Sequence, residues 1–139
     1  MNLLLHLRIV GVLLLVLLAM NVVVWKRYGW KAEIQRLELL TRQVFIVHSF
    51  FIMLTIAWFA AISLFYGEAL LAPGPLAQVV LAGLVVFWGS RLIIQWFVYD
   101  SRLWRGRRME TFIHIAFSLM WAYFTLVYGA ALAQQFASV

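Results

Sequence analysis

The chain has 139 residues, 66% of them hydrophobic and 12% charged, with a mean hydropathy of +0.98. Soluble domains run nearer half apolar and a quarter charged, and disorder needs low hydrophobicity with high charge, so both are excluded. No cysteine is present, which removes disulfides, thiolate metal sites and cysteine nucleophiles, and the net charge of +6 acquires its meaning from where the basic residues fall.

A helix crossing about 30 Å of hydrocarbon needs about 20 mainly apolar residues, and four stretches qualify. The first is Ile9–Trp25, broken by Asn21 alone. A secretory signal is the competing reading, but Arg8 is the only early charge and no small-residue cleavage pattern follows, so a retained span is expected. Trp30, Ile34, Leu37 and Leu40 or Thr41 then recur at helical spacing among charged residues, with Glu38 and Arg42 four apart. This predicts a cytoplasmic interfacial helix or an extension of the second span. That span is Val44–Tyr66. Pro73-Gly74-Pro75 then forces a tight reversal, which sets the third span, Leu76–Tyr99, antiparallel beside the second. The fourth is Phe112–Leu132. These runs are continuous, whereas a transmembrane barrel shows short alternating segments. The expected fold is an all-α integral membrane protein: an antiparallel four-transmembrane-helix bundle with a short cytoplasmic interfacial helix between spans one and two. Residues 1–139 form a single membrane domain in this reading.

Lys and Arg in short loops mark the cytoplasmic side. Lys26, Arg27, Lys31, Arg36 and Arg42 follow the first span, and Arg102, Arg105, Arg107 and Arg108 follow the third. The loop Gly67–Pro75 has none, and only Arg8 precedes the first span. This split predicts a protein of the bacterial inner membrane with both termini outside. Trp25, Tyr28, Trp30, Trp96, Tyr99 and Trp104 then flank cytoplasmic span ends, and Tyr66 and Tyr128 lie toward the outer ends, as headgroup-layer aromatics do. Arg42, Arg102, Arg105, Arg107 and Arg108 are the candidate contacts for anionic lipid headgroups. Nucleic acid is not an expected partner, because two short loops offer neither a groove nor an aromatic platform.

Ionisable groups within a span are costly and point to function; here they are His48, Arg91 and His114. At a rise of about 1.5 Å per residue they lie about 6, 12 and 3 Å below the cytoplasmic edge. Gln95 stands one turn from Arg91, and His48 shares a face with Thr55. Glu110, His114, Ser118, Trp121, Thr125 and Tyr128 follow a single helical face of the fourth span. The plainer reading of the same residues is structural: histidines satisfied by carbonyls, an arginine that docks its span, and hydroxyls that join helices. His6 precedes the first span and has no expected role, and the first span itself is expected to be peripheral to a core made by the other three.

Three functions fit this constellation. The first is a b-type haem- or quinone-associated subunit of an electron-transfer complex, with His48 and His114 as metal ligands and Arg91 and Gln95 completing the cofactor-binding set. The second is a lipid- or isoprenoid-modifying membrane enzyme with a histidine as general base. In support, Trp88–Arg102 resembles the W-x-x-R-L and following acidic–basic pattern of steroid-reductase-like enzymes, over fifteen residues and without that family's nucleotide-binding segment. The third is a non-catalytic accessory subunit, partnered by other membrane subunits or by copies of itself. No phosphate-binding glycine loop, HExxH or G-x-S-x-G motif is present.

Overall fold

The computed structural model describes the backbone of residues 2–27, 30–100 and 106–137, and the side chains of 2–22, 32–100 and 106–137. It is all-helical over these residues: α1 (Leu3–Arg27), α2 (Trp30–Gln35), α3 (Leu39–Phe65), α4 (Gly67–Leu71), α5 (Pro75–Phe97) and α6 (Arg108–Ala137). Among the described residues four helices, α1, α3, α5 and α6, are long and apolar enough to cross a membrane.

The helix ends differ from the expected spans for identifiable reasons. Helix α1 begins at Leu3, not Ile9, because Asn2 caps it: its Oδ1 accepts the Leu5 amide at 3.2 Å. His6 and Arg8 therefore sit inside a helix. The stretch before the second span divides in two. Arg36 and Leu37 close α2 by donating to the Glu33 and Ile34 carbonyls, both at 3.1 Å and both three residues back. Glu38 then caps α3 through its own carbonyl, which accepts from Arg42 N at 2.9 Å. The segment before Pro75 is more than a tight reversal, because it folds α4 first; Pro75 then takes the first turn of α5, where its missing N–H costs nothing. Helix α6 outruns its expected span at both ends, with Glu110 in its first turn favouring the N-terminus. At about 1.5 Å per residue its 30 residues exceed the thickness of the hydrocarbon.

The chain divides into two compact units. In the first, Leu7–Gly67, α1 buries Leu7, Val10, Gly11, Leu14 and Leu17, a face that repeats every seven residues. Helix α3 buries Ile56, Ala60 and Ser63. The two meet where Gly11 lies against Ala60 and Leu64, so closely that no side chain fits between. The first span thus buries one continuous face, from Leu7 to Leu17.

The second unit, Met1–His6 with Glu68–Val139, is built on α5 and α6. One line of its buried positions recurs every seven residues, Leu81, Trp88 and Gln95 on α5 and His114, Trp121, Tyr128 and Gln135 on α6, with Leu84, Ser118, Phe124, Val127 and Ala131 buried beside it. Trp88 stacks on Trp121 at 5.1 Å, Gln95 reaches His114, and Gly74 at the cap of α5 reaches Gln135. Each step of seven down α5 is matched by the same step up α6, so the two helices run antiparallel in one register, as a heptad seam requires.

Candidate functional site

Two of the four cofactor-site residues meet in the seam. Gln95 Nε2 donates to His114 Nδ1 at 2.8 Å, with both side chains buried. An accepting Nδ1 leaves the proton of the neutral ring on Nε2, so His114 in this arrangement is a donor toward its other side. Trp96 packs edge-on to the same ring at 5.6 Å. Ser118 and Thr125 donate to the carbonyls of His114 and Trp121, four residues back, both at 2.8 Å. These hydroxyls satisfy themselves within their own helix and join nothing across the seam.

Arg91 completes the cluster. Its guanidinium lies over the Trp121 ring at 5.4 Å and the Tyr99 ring at 5.6 Å, and Nη1 approaches the Tyr99 hydroxyl at 3.4 Å. Tyr99 is eight residues farther along the chain, so the side chain stretches toward the end of α5, as a snorkelling cation does. The stack of Phe117, Trp121 and Trp88 supplies the aromatic surface under it. The Trp121 indole N–H is buried and has no acceptor among the described residues, a deficit that costs about 1–3 kcal/mol unless something fills it.

His48 belongs to the other unit. Its ring is exposed, and Nδ1 donates to the Val44 carbonyl at 3.0 Å. That bond fixes the proton on Nδ1 and leaves the Nε2 lone pair directed away from the helix backbone, the arrangement by which a ligating histidine is oriented. Of the two proposed metal ligands, His48 thus carries the tautomer a metal needs, while His114 does so only with the Gln95 amide turned over. The described residues contain no cluster of three or more His, Asp or Glu suited to a metal ion. Arg42 is half-buried, and Arg107 and Arg108 are exposed, Arg107 at 4.0 Å from Glu110. Arg102 and Arg105, with Trp104 and the side chains of Trp25, Lys26, Arg27, Tyr28, Trp30 and Lys31, lie outside the described residues.

Two polar contacts escaped the sequence reading. Gln135 donates to the Leu70 carbonyl at 2.8 Å and the Ala72 carbonyl at 3.2 Å, and its Oε1 accepts from Gly74 N at 3.1 Å. One side chain so ties α4, the turn and the start of α5 to α6. The seven-residue steps from His114 through Trp121 and Tyr128 end on it, a signal lost by closing the span at Leu132. His6 forms the second contact, with Nδ1 2.8 Å from the Tyr123 hydroxyl. Its signal was Asn2, which starts the helix before His6 and makes the histidine part of a span.

The Gln95–His114 bond should appear as coupling. Gln95→Leu and His114→Leu each leave the other member of this pair without it, while the double variant removes both ends of the bond together. A thermodynamic cycle on detergent-solubilised protein should return a coupling of about 0.5–2 kcal/mol. Additive losses would mean that the bond contributes nothing. No protein-family model, curated protein or solved structure matches the chain.

Proposed function

We propose that the chain is a four-span integral membrane protein of the bacterial inner membrane, an antiparallel bundle with both termini outside. In this reading it acts as a non-catalytic subunit that docks a larger membrane protein through α3. The supporting observation is His48. Val44, Val47, Phe51, Leu54 and Trp58 surround it on an exposed apolar face of α3, while the opposite face buries Ile56, Ala60 and Ser63. Lipid tails satisfy the apolar residues but not an imidazole whose acceptor nitrogen faces outward. A neighbouring transmembrane helix with a hydrogen-bond donor at that depth satisfies both.

A photoreactive residue at Phe51 or Trp58 should cross-link one defined protein in native membranes, and His48→Leu should lower that yield several-fold. The same residue at Leu126, exposed on α6, is the control. Cross-links to lipid alone, or to a second copy of the chain, would overturn the reading. Orientation is tested separately: cysteines replacing Gly74 and Arg107 should label from opposite sides of an intact membrane. Position 107 is preferred to Gly106, whose φ of +82° suits glycine.

A second reading, the electron-transfer subunit, is supported by the buried Trp121 N–H, which lacks an acceptor among the described residues and would meet a quinone carbonyl where the α5–α6 seam parts to admit one. His114 and Arg91 then stand beside the quinone ring, and the Nε2 of His48 is the nitrogen a b-type haem would take. Haem gives the purified protein an intense Soret band that His48→Ala abolishes; a quinone appears on solvent extraction and is lost with Trp121→Phe. Colourless protein with no extractable quinone removes this reading and leaves the first untouched.

A further inference from the structure

A mainly apolar groove of about 400 Å³ runs along one side of the α5–α6 pair, walled by Leu92, Ile93, Trp96 and Phe97 from α5 and by Ser118, Leu119 and Ala122 from α6. It is open along its length, and its volume falls within the ~300–1,000 Å³ of small-molecule sites. The α6 wall carries a charge at one end. Arg108, Ile115 and Ala122 stand seven residues apart and so share one helical face. The antiparallel register sets Phe97 level with Phe112, so Arg108 starts about 6 Å beyond the end of the groove, within reach of its own side chain. Glu110 lies by Arg107, whereas Arg108 is exposed and has no ion-pair partner among the described residues.

We propose that the groove holds one acyl chain of an anionic phospholipid, with the headgroup phosphate against Arg108. The proposal rests on the membrane placement above but not on the partner read from α3. The apolar walls accept any hydrocarbon chain, and the cation at the mouth selects the occupant. A neutral isoprenoid gains nothing from Arg108, and the phosphate of a zwitterionic lipid already has its own ammonium beside it, whereas the phosphate of an anionic lipid has no such partner and gains a charge-assisted hydrogen bond at the depth where headgroups lie.

The test uses the full chain in phosphatidylcholine vesicles containing phosphatidylglycerol. Bromine is placed on the acyl chains of one lipid or the other, and the Trp96 contribution is read as the difference between wild type and Trp96→Phe. Brominated phosphatidylglycerol should quench Trp96 more than brominated phosphatidylcholine at the same mole fraction. Arg108→Gln should weaken that preference about fivefold, equivalent to about 1 kcal/mol at 1.4 kcal/mol per tenfold. Ala122→Phe, which fills the groove, should abolish it; should that variant misfold, the exposed Arg108→Gln still decides. Equal quenching by the two lipids, or a preference indifferent to Arg108→Gln, overturns the proposal, as does mass spectrometry that finds an isoprenoid quinone seated there. Quenching of no tryptophan by either lipid would instead overturn the membrane placement, and this reading with it.

Discussion

Gln135→Leu should destabilise the protein by about 2–5 kcal/mol, more than any other polar substitution in α6. The side chain is 1% exposed and makes three hydrogen bonds, to Leu70, Ala72 and Gly74. Leucine fills similar volume and supplies none of them, so two carbonyls and one amide lose their partner, at about 1–3 kcal/mol for each that water cannot reach. The loss should also be local. Amide exchange at Gly74 should accelerate strongly, because its acceptor is gone, while amides in the middle of α5 should change only with global stability. Phe136→Leu, on the exposed face one residue on, should stay within about 0.5 kcal/mol. Comparable thermal stability of the two variants in detergent would show that α4 and the turn hold without their tie to α6.

Gly11→Ala should destabilise, and Gly83→Ala should not, although both glycines lie inside helices. Alanine is the better helix former by about 1 kcal/mol, so propensity alone predicts stabilisation at both sites. A Cβ on Gly11 would stand 2.5 Å from Leu64 Cγ and 3.2 Å from the Ala60 carbonyl oxygen, whereas one on Gly83 meets nothing within 4 Å. Overpacking of this kind costs about 1–3 kcal/mol, enough to reverse the sign. Leu64→Ala should therefore rescue Gly11→Ala in part, a non-additivity that sites without contact do not show. Stabilisation by Gly11→Ala would mean that α1 and α3 do not approach closely at this point.

Apolar run length against hydrocarbon thickness, a local property, was enough to place four long helices and to exclude a strand architecture. The stripe expected on α6 is buried only in part: His114, Ser118, Trp121 and Tyr128 are buried, Thr125 is half-buried and Glu110 is exposed. On the matching face of α3 His48 is exposed and Thr55 only half-buried, because a polar face is covered only where another helix packs on it. Capping chemistry was equally local at α1, where Asn2 marks a start at Leu3, but not at α3, where Glu38 caps through a backbone carbonyl that any residue carries.

What the tertiary structure alone decided is which apolar faces meet protein. Leucine against leucine and leucine against a lipid tail are nearly equal in free energy, so composition does not distinguish the buried Leu14 from the exposed Leu15 beside it. That choice is made by shape, at the close approach of Gly11 to Ala60, and by polar groups that find each other across long stretches of chain. Gln135 reaches a carbonyl 65 residues away and His6 a hydroxyl 117 residues away. Neither pairing follows from a local pattern, because it depends on the antiparallel register of α5 and α6 and on where the N-terminal turn comes to lie. Run length and composition were enough for the four long helices and for part of the buried stripe of α6, from His114 to Tyr128. The fold determined that Gln95 and His114 satisfy each other, and that His48, on its exposed face of α3, still offers a nitrogen, because a buried donor is satisfied only by the acceptor that packing brings within reach.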